Sequence, residues 1–262
     1  AKIKHDFLSD PDVTQLIQEV NPDFLNKDDK INFKEMKREH LFFSSLPGDL
    51  VESLSKASAI CEGKWQEARK NNDFSIVEKS LDELIGLIKL ESKILSEKLT
   101  CSPYEALIQK YEPDLKIVEI KEVFEDLQNF LVPAIEKIVE KQKNEMILNL
   151  KNKPSSDLQY DIAKSLIKKI GFDSTRGRLD KSEHPFCGGS TEDVRITTRY
   201  SENNPFSSLD GVMHETGHAM YELGLPSEWQ YQPVGKSRGM AMHESQSLLI
   251  EMQITRSFAF KK

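Results

Sequence analysis

Two histidines and a glutamate stand together in HETGH, positions 214–218. On an α-helix, positions i and i+4 share one face. His214 and His218 would then aim two imidazoles at one point, as a tetrahedral metal ion requires. Glu215 falls about 100° around the helix from His214. From there a carboxylate can reach a water held by the metal without ligating the metal, and can serve as general base. Coordination lowers the pKa of such a water towards about 7, which lets a carboxylate take its proton near neutral pH.

A catalytic zinc site needs a third protein ligand and keeps one position open. HETGH continues AMYELGL, so no histidine or glycine follows at the metzincin spacing. The best-placed third ligand is Glu244 in HESQ (243–246), with 25 residues between it and His218. Leu248, Leu249, Ile250 and Met252 follow, which sets Glu244 near the start of a second helix. Glu222 lies one turn beyond His218, about 6 Å along the axis, too far to join the first shell easily. It reads as a supporting partner, and Glu251, two turns after Glu244, as a weaker one. His243 would orient a ligand or bind substrate. Arg195 and Arg199 carry guanidinium forks that suit a peptide's terminal carboxylate, with an ion pair to Asp193 as the competing reading for Arg195. His184 in HPF reads as structural, and His5 and His40, without metal-like spacing, as surface residues.

The site needs elements to hold it. DVRITTRY (193–200) alternates Val194, Ile196 and Thr198 against Arg195, Thr197 and Arg199, a period of two that reads as a strand. A peptide substrate could pair along it. Pro205 and Ser207 give loop and cap signals before the HETGH helix. Upstream, glycines cluster in GFDSTRGRLDKSEHPFCGGS (171–190). Residues 1–150 look almost wholly helical. Leu81, Leu84, Ile85 and Ile88 keep helical spacing, as do Val123, Leu127, Leu131, Ile135 and Ile138, with Pro133 expected to kink that helix. Trp65, Phe74, Tyr104 and Tyr111 read as packing residues. The expected fold is mainly α, with a small β element beside the HExxH helix.

Composition bounds the rest. The 262 residues are enough for a sizeable core, and a 38% hydrophobic, 30% charged chain suits a globular protein. The net charge of −7, with no basic stripe, argues against nucleic acid and membrane surfaces. No apolar run approaches a membrane span. The opening AKIKHDFLSD lacks a signal-like apolar stretch, which points to the cytoplasm. Cys61, Cys101 and Cys187, odd in number and widely spaced, read as reduced thiols.

At HPF (184–186), DVRIT (193–197), HETGH (214–218) and HESQ (243–246), the sequence resembles the thermostable carboxypeptidase (carboxypeptidase Taq) family of metallocarboxypeptidases. The motifs fall in the family's order with similar spacing, and the likeness runs from about residue 45 to the end. GRLD (177–180), TTRY (197–200) and YEALIQKYEPD (104–114) add to it. The resemblance implies a largely helical fold with a long substrate groove and removal of C-terminal residues with broad side-chain tolerance. It implies zinc, with cobalt as the alternative, and homodimers. On matching positions it implies ligands His214, His218 and Glu244 and base Glu215. Family members run to roughly twice this length, and two further motifs, IRxxAD and GxxQDxHW, have no counterpart before the closing FAFKK. The expectation is therefore a single, incomplete peptidase domain over 1–262, with a helical region (1–170) and a metal-site region (171–262), in a truncated or split form. Three functions compete. The first is a metal-dependent carboxypeptidase using a metal-bound water. The second is a weakly active or inactive fragment that binds metal or a complementary C-terminal chain. The third is an endopeptidase, since the arginine of IRxxAD, a candidate carboxylate grip, is missing.

Overall fold

The computed structural model describes residues 1–145, 153–182 and 184–262. The chain forms two compact units, Ala1–Ile117 and Val118–Lys262. Among the described residues, no helix is long and apolar enough to cross a membrane.

The first unit is helical: α1 (Lys2–Leu8), α2 (Pro11–Glu19), α3 (Lys27–Ser44), α4 (Gly48–Asn71), α5 (Ser75–Leu99) and α6 (Pro103–Tyr111). Asn72 ends α4 in the left-handed region, a conformation asparagine tolerates better than most residues, and the chain doubles back into α5. Cys61, Ala68 and Val77 form the buried seam between these two helices, with Trp65 packed against it. Buried Glu91 is paired by the Nζ of Lys110 at 2.7 Å, which ties α6 to α5.

Several expectations need correcting here. His5 is buried rather than on the surface, with its Nε2 2.8 Å from the carbonyl oxygen of Leu46. His40 is half-buried, 3.0 Å from the hydroxyl of Thr14. Phe74, Tyr104 and Tyr111 are exposed, because they sit at helix ends where a ring has no neighbouring turn to pack on.

In the second unit, α7 (Ile117–Gln142) runs on through Pro133. Its apolar stripe forms as the spacing predicts, yet none of its residues is buried. Of the expected helical stretch, 146–150 lies outside the described residues. Ser155 caps α8 (Ser156–Ile170), which Gly171 ends at φ +105°, a backbone conformation that L side chains rarely adopt.

Three strands follow: β1 (Gly177–Lys181), β2 (Phe186–Ser190) and β3 (Asp193–Thr198). The order is β1-β3-β2, with β1 parallel and β2 antiparallel to β3. The small β element is thus a three-stranded sheet whose outer two strands arise from the glycine-rich stretch. β3, expected to offer its edge to a peptide, is the central strand, and its backbone already bonds on both sides.

The polypeptide then enters α9 (Pro205–Leu223), which carries HETGH. Asn204, not Ser207, is the cap; its side chain accepts from the Ser207 N–H, and Pro205 takes the first helical position. Next come α10 (Met240–Leu248), a π-helical turn (Leu249–Ile254) and α11 (Phe258–Lys261). The core of this unit joins Ile167 of α8, Val194 and Ile196 of β3, Val212 and Met213 of α9, and Ile250 of the π-turn.

Candidate metal centre

α9 presents two faces. Val212, Thr216 and Ala219 are fully buried, and they fix the helix's rotation about its axis. That rotation leaves His214 and His218, one turn apart, half-buried on the adjoining face. Their rings stand 4.9 Å apart between centroids and nearly perpendicular, at 81°.

α10 crosses α9 very closely. A Cβ on Gly217 would lie 2.4 Å from the carbonyl oxygen of Gln246 and 2.5 Å from the Cα of Ser247. Only glycine permits that approach, and the approach carries Glu244 over the histidines. The carboxylate of Glu244 then spans both: Oε1 is 3.6 Å from Nε2 of His214, and Oε2 is 3.4 Å from Nε2 of His218.

These separations test the fit to a metal. Bonds of about 2.0–2.2 Å at tetrahedral angles put ligand atoms roughly 3.4 Å apart. Donor atoms of His214, His218 and Glu244 lie within 4.8 Å of one another, and two imidazoles with one carboxylate are a zinc-type donor set. The residues fit the group.

Each histidine is also held from behind. Nδ1 of His214 is 3.0 Å from Oε2 of Glu251, whose other oxygen accepts from Arg256 at 3.1 Å. Nδ1 of His218 is 2.6 Å from Nδ1 of His243, and Nε2 of His243 is 2.8 Å from Oε1 of Glu222. His243 therefore uses both ring nitrogens on protein partners, and Glu222 meets His218 through it. Arg195 is engaged by Asp193, Nη2 to Oδ2 at 2.7 Å. Arg199 is exposed just past the end of β3. Arg256, the anchor of Glu251, is the residue that sequence reasoning missed; five positions from Glu251 in RSF, it had no recognisable spacing.

Glu215 is 7% exposed. Burial pushes its carboxyl above the usual range, and the Glu244 charge pushes the same way, while His214 and His243 pull it down. Burial, reinforced by the neighbouring histidines, lowers the pKa of His218 and keeps a ligand-competent neutral ring at neutral pH. The Cys187 thiol on β2 is pushed up to about 12, mainly by burial and then by the charges of Glu215 and Glu222, which sets β2 beside the site. All three cysteines are free.

The raised Glu215 pKa has a consequence for stability. A carboxyl with a raised folded-state pKa favours folding while protonated, and that contribution is lost as pH rises through the raised value. In metal-stripped protein, Glu215→Gln is expected to raise Tm at neutral pH. The gap over the parent should close on acidification below the usual glutamate range. Melting both proteins across this range with chelator present checks it, and a gap independent of pH would contradict it.

The family model described as carboxypeptidase Taq (M32) metallopeptidase matches residues 1–262. Thermostable carboxypeptidase 1 of Pyrococcus furiosus is 31% identical over 98% of this chain and 52% of its own length. Its namesake from Thermus thermophilus is 30% identical over 99% and 53%. Among solved structures, Trypanosoma cruzi metallocarboxypeptidase 1 superposes with a TM-score of 0.87 at 38% identity, covering 97% of this chain and 52% of that one. Pyrococcus furiosus carboxypeptidase gives 0.83 at 30% identity, covering 97% and 51%. The chain spans about half the length of the relatives it matches. Matched end to end by one family's model, and folded like that family's solved members, the chain belongs to the carboxypeptidase Taq (M32) metallopeptidases.

Proposed function

We propose that this chain carries the catalytic metal centre of a carboxypeptidase that removes C-terminal residues from peptides. The observation that carries the reading is the spacing of Glu244 from both histidine Nε2 atoms, 3.6 and 3.4 Å, which matches a tetrahedral set. His214, His218 and Glu244 would hold a divalent cation, Zn2+ by preference with Co2+ as the alternative. When bound, the cation supplies Lewis acidity for the scissile carbonyl and a lowered pKa for water. Glu215 takes the proton from the attacking water and later passes it to the leaving amine. Peptide would add as a further strand along the outer edge of β2, the unpaired edge nearer the site. Arg199 is the remaining arginine candidate for the substrate carboxylate, since Arg195 is committed to Asp193. Residues 1–262 are read as belonging to one peptidase domain, which the end-to-end family match supports.

A second reading rests on α7. Its exposed stripe, with Phe124, Phe130, Leu131 and Ile135 all in solvent, has the character of a surface that a complementary chain covers. One assay separates the readings. The expected result is metal-dependent release of the last residue from an N-blocked dipeptide, with no release from its C-terminal amide. Cleavage of the amide would favour an endopeptidase. Bound metal without turnover would favour the second reading.

A further inference from the structure

We propose that Glu222 and His243 are positioning residues that together fix which nitrogen of His218 faces the metal. The inference rests on the metal reading above and deepens it. Its starting point is Glu222. An ionised carboxylate can only accept hydrogen bonds. The atom 2.8 Å from Oε1 of Glu222 is Nε2 of His243, so that nitrogen must carry hydrogen. In a neutral imidazole the other nitrogen is then bare. Nδ1 of His243 is therefore an acceptor, and the atom 2.6 Å from it, Nδ1 of His218, must be the donor. With its hydrogen on Nδ1, His218 has a bare Nε2, and this is the atom facing Glu244 at 3.4 Å. The opposite arrangement fails at both ends: it sets two acceptors against each other at Glu222 and an N–H where the metal needs a lone pair.

The rings are packed so that the path stays closed. His218 and His243 lie 4.6 Å apart between centroids, tilted by 43°, and Tyr221 meets His243 edge-on at 5.2 Å. His214 receives the same instruction in a single step, from Glu251, which Arg256 holds by its other oxygen. Two carboxylates thus specify two bare Nε2 atoms through paths of different length. Outer partners of this kind commonly contribute about 10–100-fold in metal affinity. His243 acts through another residue and, with both nitrogens engaged, has none free for substrate.

The experiment has two readouts. Zn2+ affinity is measured by competition with a chromophoric chelator for the parent, His243→Phe, Glu222→Gln and Glu251→Gln. Long-range 1H–15N correlation spectra of the metal-free proteins, taken where the rings are neutral, read the His218 tautomer. The parent is expected to hold hydrogen on Nδ1 of His218. His243→Phe should shift that ring towards Nε2–H and weaken Zn2+ binding at least tenfold. Glu222→Gln, which keeps an acceptor oxygen in a side chain of similar shape, should show a smaller change in the same direction and covers the case of a misfolded phenylalanine variant. Glu251→Gln should leave the His218 tautomer unchanged. An unaltered tautomer in His243→Phe overturns the proposal, whether or not affinity falls. A parent that binds no Zn2+ sinks the metal reading, while the tautomer spectra still decide the relay.

Discussion

Replacing Glu215 by glutamine is expected to lower kcat for C-terminal release by about a thousandfold, within the range that general-base catalysis commonly contributes. Glutamine keeps the side chain's size and an acceptor oxygen but has no useful basicity. Glu215 follows His214 directly and points away from the Glu244 cluster, so the ligand set is untouched. Metal content should therefore equal the parent's, and KM should change little. The site's buried position supports the effect, because a base shielded from bulk water keeps its proton transfer directed at the reacting groups. Steady-state kinetics with elemental analysis checks all three quantities together. A kcat within a few fold of the parent would remove Glu215 from the base role, and loss of metal would make it a ligand.

Gly217→Ala is expected to cost both stability and metal affinity, although alanine is the better helix former by about 1 kcal/mol. The added methyl would meet backbone, not a flexible side chain: Gln246 O at 2.4 Å and Ser247 Cα at 2.5 Å. Overpacking of this kind costs about 1–3 kcal/mol and is relieved only by moving α10 off α9. Glu244 rides on α10, so its separation from His214 and His218 must grow. The expected outcome is a lower Tm and at least tenfold weaker Zn2+ binding, with helix content retained. A variant of equal or greater stability would show that α10 has room to shift at no cost.

Much of the site could be read from spacing. His214 and His218 were legible because i and i+4 on a helix is a geometric certainty once the helix exists, and buried Val212, Thr216 and Ala219 supply the helix. Glu244 was legible as the third member, since apolar residues after it marked a second helix. What spacing could not give was the crossing of α9 and α10. That crossing decides that His243 turns inward to His218 and Glu222, and a sequence carries no direct signal of interhelical angle. The strands β1 and β2 were hidden for another reason. GRLDK and FCGGS have little β-branched content, and they become strands because β3 is there to bond them on both sides. His5 misled because lack of metal spacing says nothing about burial, and its partner, the Leu46 carbonyl, is remote in sequence. The stripe on α7 predicted a helix correctly, yet periodicity states only that one face is apolar, not that this chain covers it.

The π-turn at Leu249–Ile254 has a consequence of its own. The Thr255 N–H reaches back five residues to the Ile250 carbonyl at 3.0 Å, where an α-helix would reach back four. The helix thus holds one residue more in this turn than α-geometry needs, and Glu251 lies inside it. Shortening the segment by one residue would restore α bonding and swing everything beyond it by about 100°. Arg256 would leave Glu251, while HETGH and Glu244, all upstream, kept their places. Length, more than residue identity, is what this turn encodes: it should accept substitutions at its exposed positions far more readily than any insertion or deletion.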